Sequence, residues 1–374
     1  MDQYLLWSNE NNSAATVNVT TKPDLLDVME GLPLNSTVAD NFVRAWSIIN
    51  NPNHEKILAT ISGGADSDVV LDILTKVDYS KKIKYVWINT GLEYQATQDH
   101  LDYLEKKYGI TFIRIRPKKP IPLAVVQYGQ PFLNKNASEH IMRLQRHGFT
   151  WIDGSFEELY ELWPDCKSSL EWWCNVHDNS SLNICNNKWL KEFLMSNPPT
   201  FRISNKCCYY SKKKPIHDLI VKNKVDLDIS GVRKAEGGAR RNAYKSCFGG
   251  KSCGTYEYDE YRPVWWYKDQ DKEDYCDACS VTHSKCYTEY GLPRTGCCGC
   301  PFGRDFEHEV EVVQKHEPKL YKAIMTLFSD SYAYTKQYKE FCEMMDNKKK
   351  VEKACKKGEY SQLSIFDVFP DIAS

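Results

Sequence analysis

The stretch Ala59–Leu74, ATISGGADSDVVLDIL, constrains the fold more than any other part of the chain. Ile57, Leu58, Ala59, Thr60 and Ile61 have the composition of a short buried strand, and Val69, Val70, Ile73 and Leu74 recur at helical spacing. Only small and polar residues lie between them. Two glycines let the backbone come close to a bound group, and Ser62, Asp66 and Ser67 can cap the helix start. Free amides at a helix N-terminus behind a glycine turn make an anion site, most often for phosphate. An ordinary strand-to-helix turn is the plain alternative for this segment by itself.

The alternation continues. KKIKYVWINTG reads as a second strand, TQDHLDYLEKKYG as a helix and ITFIRIRP as a third strand, while Val225, Leu227 and Ile229 alternate ahead of another glycine turn. Strands separated by helices at this spacing imply βαβ units, so the expected fold is α/β, a doubly wound, mostly parallel sheet. Residues 1–52 read as an N-terminal helical extension with a helix over Val38–Ile49, residues 53–305 as the sheet domain, and residues 306–374 as a helical C-terminal extension and tail. Inside the sheet domain, residues 130–205 are tryptophan-rich and read as a helical insertion. Ligands of open parallel sheets sit at the carboxyl ends of the strands. SGGADS, NTGLEY and SGVRKAEGGAR end three expected strands with glycine beside polar or charged groups, which predicts that they converge on one site. Trp172, Trp173 and the segment Pro122–Gln130 read either as core or as part of an adenine or substrate pocket.

An apolar content of 42% supports a sizeable core, and a formal charge of −1 leaves any nucleic-acid surface to be local. No run of 18 apolar residues predicts a membrane span. The start, MDQYLLWSNENN, lacks the basic and apolar regions of a signal peptide, so a cytoplasmic location is expected. In a reducing compartment, 15 cysteines point to metal or thiol chemistry before disulfides. Cys207 and Cys208 are adjacent, and Cys297-Cys298-Gly299-Cys300 holds a C-x-x-C, so two distant pairs can meet as four thiolates on one metal centre. Cys298 is an alternative to Cys297, and zinc an alternative to iron–sulfur. Cys276, Cys279, His283 and Cys286 have the spacing of one helical face, which fits either metal ligation or, more simply, core packing. Cys247 and Cys253 flank FGGKS, read as a loop, and are redox-active, structural or inert.

Neither G-x-x-x-x-G-K-[ST] nor a strand-borne G-x-G-x-x-G is present. Instead the chain shows, in order, S-G-G-x-D-S, N-T-G, C-C followed by Lys212, Lys213 and Lys214, G-V-R-x-x-E-x-x-x-R, R-P-V-W-W and Y-G-x-x-R-T-G-C-x-x-C. This order resembles the phosphoadenosine phosphosulfate (PAPS) reductase family of the PP-loop, adenine nucleotide alpha-hydrolase-like superfamily, from about Lys56 to Asp305. The resemblance implies that Ser62, Gly63, Gly64, Asp66 and Ser67 hold phosphate or sulfate and that Asn89, Thr90 and Gly91 lie near adenosine. Gly231, Arg233, Glu236 and Arg240 would complete the nucleotide site, with Asp66, Arg233 and Arg240 as the catalytic set. It further implies a 4Fe–4S cluster on Cys207, Cys208, Cys297 and Cys300, a cluster-binding segment at about 286–304, and ATP or a PAPS/APS-like nucleotide with Mg2+.

The family's nucleophilic thiol lies in a C-terminal E-C-G-x-H-type stretch that has no counterpart here, since Cys342 and Cys355 lack the glycine and histidine. NTGLEYQAT also departs from the family's F-P-E-T wording. The chain is therefore closer to the reductase-like branch related to DNA phosphorothioation and tRNA thiolation. That branch implies adenylation of a substrate with loss of pyrophosphate, sulfur transfer from a donor such as a cysteine desulfurase, and nucleic acid, DNA foremost, as substrate. Two other readings stand: a genuine PAPS or APS reductase using Cys247 or Cys253, and a non-catalytic nucleotide- and redox-sensing subunit. The tail SQLSIFD is similar to peptides that dock on the DNA sliding clamp, through Gln362, Leu363, Ser364, Ile365 and Phe366; otherwise its apolar residues pack back on the domain.

Overall fold

The computed structural model describes residues 5–7, 23–237, 243–303 and 305–356. Arg240 and the segment Gln362–Phe366 lie outside the described residues. The chain divides into two compact units. The first takes the described residues up to Pro122, then Cys208–Gly299 and Glu307–Lys322; the second takes Leu123–Cys207, Cys300–Phe306 and the described residues from Ala323 on.

The first unit holds a six-stranded sheet of β1 (Ile57–Thr60), β2 (Ile83–Ile88), β3 (Phe112–Ile115), β4 (Leu227–Ser230), β5 (Phe248–Cys253) and β6 (Tyr256–Tyr261) in the order β3-β2-β1-β4-β6-β5. All neighbours are parallel except β5 and β6. β1 sits centrally, with Ile57 opposite Ile83 on one side and Leu227 on the other. Successive side chains of β1 point to opposite faces. Ile57 and Ala59 join the core formed with the helices Ser36–Ile49 and Ala65–Val77. Leu58 joins Val86, Ile115, Leu219 and Ile220 in a second core. Both faces are thus covered, which is why β1 reads as a continuous apolar run.

The helix expected over Val38–Ile49 begins at Ser36, because the Asn35 side chain accepts hydrogen bonds from the Thr37 and Val38 amides. Phe42 and Ile49 on its inner face are fully buried, and each contributes on the order of 2 kcal/mol relative to exposure. Two readings need correction. FGGKS is strand rather than loop: it lies in β5 and pairs antiparallel with β6 across a two-residue turn at Gly254, whose φ is +63°. The face expected through Cys276, Cys279, His283 and Cys286 is broken, because the helix Asp269–Cys279 ends at Ser280 in a left-handed conformation (φ 52°). Cys286 belongs to the separate helix Lys285–Thr288.

The second unit is helical and aromatic-rich, with Phe132, Trp172, Trp173, Phe193, Tyr334 and Tyr338 in one core. Trp172 and Trp173 are fully buried there, which makes them packing residues rather than a ligand platform. Their ring edges meet neighbouring faces, as Trp151 does against Trp173 at 5.8 Å. Phe306–His316 and Pro318–Lys356 are helical, in line with the helical reading of the region from residue 306. No described helix is long and apolar enough to cross a membrane.

Candidate functional site

β1 and β4 are neighbours although the chain leaves β1 toward β2, so the sheet's switch point lies between them. The loop after β1 turns at Gly63, whose φ is +72°. The Gly64 amide donates to the hydroxyls of Ser62 (3.3 Å) and Ser67 (3.0 Å), and Ser67 Oγ donates back to the Gly64 carbonyl at 2.7 Å. The loop after β4 lies against the same helix start: a Cβ on Gly231 would fall 3.3 Å from Ser67 Cα. Glycine at 231 is therefore a matter of backbone approach.

Two residues beyond Gly231, Arg233 reaches back across this junction. Its Nε lies 2.8 Å from Asp66 Oδ1, and one terminal nitrogen lies 2.9 Å from Asp269 Oδ1. Lys272 Nζ approaches Asp66 Oδ1 at 3.4 Å. Arg233 is buried, and although desolvation opposes its charge, Asp66 and then Asp269 push its pKa upward. Glu236 orients the backbone of this arginine, since its carboxylate accepts the Arg233 amide at 3.1 Å. Asp66 and Arg233 thus hold a carboxylate and a permanently charged fork directly beside the glycine turn.

The loop after β2 is built differently. Asn89 Oδ1 accepts the Gly91 amide at 3.0 Å, and Gly91, with φ +90°, sits close against Pro120 and Pro122. The Thr90 hydroxyl contacts both Glu93 and, at 3.9 Å, the sulfur of Cys297. Burial pushes the Glu93 carboxyl up while the Lys212 ammonium pulls it down. Lys212 also hydrogen-bonds Cys297, and its own pKa is raised, first by Cys297 and also by Glu93 and Cys208. Cys208 and Lys212 come from one helical segment, in which Tyr209–Lys213 forms a π turn ahead of the helix Lys214–Asn223. Such turns recur at functional sites.

One hydroxyl joins the glycine turn to the cysteine-bearing loop. Tyr287 Oη accepts the amides of Ala65 (3.1 Å) and Thr295 (3.1 Å) and pairs with the Thr295 hydroxyl at 3.0 Å. A Cβ on Gly64 would meet Thr295 Oγ1 at 3.1 Å. Cys298 donates its amide to the Leu92 carbonyl at 2.9 Å, fixing the same loop to the one after β2.

The structure therefore brings together Ser62, Gly63, Gly64, Asp66, Ser67, Gly231, Arg233 and Glu236, and sets Thr90 with Cys208 and Cys297 around Lys212. Cys207 and Cys300 belong to the second unit. Among the described residues, no group of three or more His, Cys, Asp or Glu side chains is placed to hold a single metal ion. At Cys297 burial raises the thiol while the hydrogen-bonded Lys212 ammonium opposes that rise, and a thiol pair beside a cation has the donor chemistry that a thiolate-bound cluster uses. Tyr287, Lys272, Asp269 and Glu93 were not singled out by the sequence reading. Only the spacing of Asp269 and Lys272 on one helix turn carried any signal.

Comparison with known proteins covers the segment that holds S-G-G-x-D-S and N-T-G. Residues 56–154 match the phosphoadenosine phosphosulfate reductase domain. An uncharacterized protein of Methanocaldococcus jannaschii is 37% identical over 116 residues, 30% of this chain, and the match spans 24% of that relative's length. Among solved structures, a phosphoadenylyl-sulfate reductase of Candida auris in a phosphate complex is 15% identical, with a TM-score of 0.37 over 71% of this chain and 89% of that one. The U34-tRNA thiolase NcsA of Methanococcus maripaludis with its 4Fe–4S cluster is 13% identical, with a TM-score of 0.35 over 82% and 80%.

Proposed function

We propose that this chain is a PP-loop enzyme that binds ATP or a related adenine nucleotide, adenylates an acceptor and supports transfer of sulfur to it. Nucleic acid, DNA foremost, is the acceptor class, and a cysteine desulfurase the type of donor. The observation that supports this reading most is the Tyr287 hydroxyl, which ties the Ala65 amide of the nucleotide loop to Thr295 of the cysteine loop. A nucleotide loop and a thiol loop joined at one atom suit a reaction that couples the two chemistries.

In the proposed reaction the acceptor attacks the α-phosphorus, the bond to the bridging oxygen breaks, and pyrophosphate leaves. The loop amides at Gly64 and Ala65 and the hydroxyls of Ser62 and Ser67, which bond one another and Tyr287 here, would turn to the phosphates when nucleotide binds. Arg233, with Arg240 as its proposed partner, neutralises the charge that grows on the leaving group, and Asp66 aims Arg233 until phosphate oxygens take its place. Asn89, Thr90 and Gly91 line the adenosine side, and Mg2+ accompanies the nucleotide. Cys207, Cys208, Cys297 and Cys300 would hold the 4Fe–4S cluster, which when bound supplies sulfur-binding or electron-carrying chemistry. Lys212 stabilises the thiolate form of Cys297.

The test is pyrophosphate release from ATP by anaerobically purified protein, with and without nucleic acid and a sulfur donor. Release that depends on the acceptor supports the reading. Tight ATP binding without release under any condition would make the chain a sensing subunit. Thioredoxin-dependent sulfite from PAPS or APS would make it a reductase; of the thiols that reading names, Cys253 touches His217 but pairs with Tyr256 at the amino-terminal end of β6.

A further inference from the structure

Helix Asp269–Cys279 carries Lys272, which touches Asp66, and one turn further along it carries the half-buried Cys276. The left-handed residue Ser280 turns the chain so that His283 folds back on this helix, with Nε2 3.5 Å from Cys276 Sγ. On the other side of the ring, Nδ1 lies 2.9 Å from Asp68 Oδ2. Asp68 is fully buried on the nucleotide-loop helix, and its second oxygen lies 3.0 Å from His100 Nε2.

This arrangement fixes the tautomer of His283. With Asp68 Oδ2 as the acceptor, the hydrogen on His283 sits at Nδ1 and faces Asp68. Nε2 is left with a lone pair, directed at the thiol. Nucleophile, base and orienting carboxylate then stand in the relation that activates a thiol in acyl and sulfur chemistry.

We propose that Cys276 is the thiol through which this chain accepts sulfane sulfur, with His283 as its base and Asp68 as the positioning residue for that histidine. The inference rests on the sulfur-transfer reading and supplies the thiol that the C-terminal sequence lacks. In the step, Nε2 takes the Cys276 proton and the thiolate attacks the terminal sulfur of a donor persulfide. A new S–S bond forms, the donor's S–S bond breaks, and the imidazolium returns its proton to the departing donor thiolate. Cys276 ends as a persulfide, the donor as a thiol, and no external oxidant or reductant is consumed. Burial pushes the Cys276 thiol up to about 12, with Lys272 opposing, so the resting group is S–H and a base in reach is what the reaction needs.

The experiment is peptide-resolved mass spectrometry of the full chain after brief exposure to iodoacetamide and, separately, to glutathione persulfide. Cys276 is expected to alkylate faster than Cys279 of the same helix and to carry one added sulfur after persulfide. His283→Gln should slow Cys276 by roughly a hundredfold, the low end of general-base assistance, and leave Cys279 unchanged. Asp68→Asn should slow Cys276 in the same way while the buried Cys286 and Cys247 stay unlabelled; label there would mark unfolding, and His283→Gln then decides alone. Equal rates at Cys276 and Cys279, an unchanged rate in His283→Gln, or added sulfur only on another cysteine overturns the proposal. These outcomes are independent of pyrophosphate release, on which the nucleotide reading stands or falls separately.

Discussion

Arg233 and Asp66 meet where the loops after β4 and β1 converge, with Nε 2.8 Å from Oδ1 and both side chains largely covered. The remaining donors of the arginine are committed in part to Asp269. A lysine at this position keeps the charge and loses the fork. Arg233→Lys is therefore expected to weaken ATP binding about 10- to 100-fold, the loss of one charge-assisted hydrogen bond, measured by titration calorimetry. Asp66→Ala and Arg240→Ala should abolish binding with the iron content unchanged. Loss of the fold in Asp66→Ala would instead mark the pair as structural.

Tyr287→Phe isolates the bridge between the two loops. It strips the acceptor from the Ala65 and Thr295 amides and leaves the ring in place. An expected cost of about 1–3 kcal/mol should appear in urea unfolding. Nucleotide affinity and iron retention should fall together; a variant that loses only one of them would separate the loops functionally.

Metal content tests the cysteine assignment. About four iron and four acid-labile sulfide per chain are expected after anaerobic purification, lost in Cys207→Ser, Cys208→Ser, Cys297→Ser and Cys300→Ser. Lys212→Met should retain iron and shift the reduction potential downward, because it removes a cation beside Cys297 and Cys208. Zinc in place of iron would remove the redox half of the reading.

Asp228 makes stability depend on pH in a defined sense. Burial raises its carboxyl to about 7, Glu260 adds to the effect, and its Oδ1 is buried without a hydrogen-bond partner. The folded protein therefore binds a proton that the unfolded chain releases near pH 4. The stability contributed by this group is fully present below about pH 4 and is lost as pH rises to about 7. Asp228→Asn should remove that slope, so the gap in thermal midpoint between variant and wild type widens in the variant's favour from pH 4 to pH 7. A constant gap would contradict the assignment.

Much of this architecture is local in origin, which is why it can be read from sequence. β1 and β2 are apolar runs that lead into glycine-bearing loops, β4 alternates ahead of Gly231, and the residues at these carboxyl ends follow from the fold class. β5 escapes because Gly249, Gly250, Lys251 and Ser252 have no alternation, and its identity comes from pairing with β6. Tyr287 and Lys272 escape for a similar reason: nothing near them in sequence reveals that Ala65 or Asp66 will lie opposite. The cysteine spacing around Cys276 misleads as a helical face, since the left-handed φ of Ser280 interrupts the periodicity on which that reading depends.

The π turn at Tyr209–Lys213 makes chain length itself a functional variable. A π turn holds more residues than an α turn, so deleting one of the five would let the segment wind as an ordinary α-helix. Each residue of such a helix advances about 100° around the axis, so loss of a residue between Cys208 and Lys212 would change the angle between their side chains. Side-chain replacements within the turn leave this phase intact, whereas a single-codon deletion resets it. Tolerance at this segment is thus set by residue count more than by residue identity.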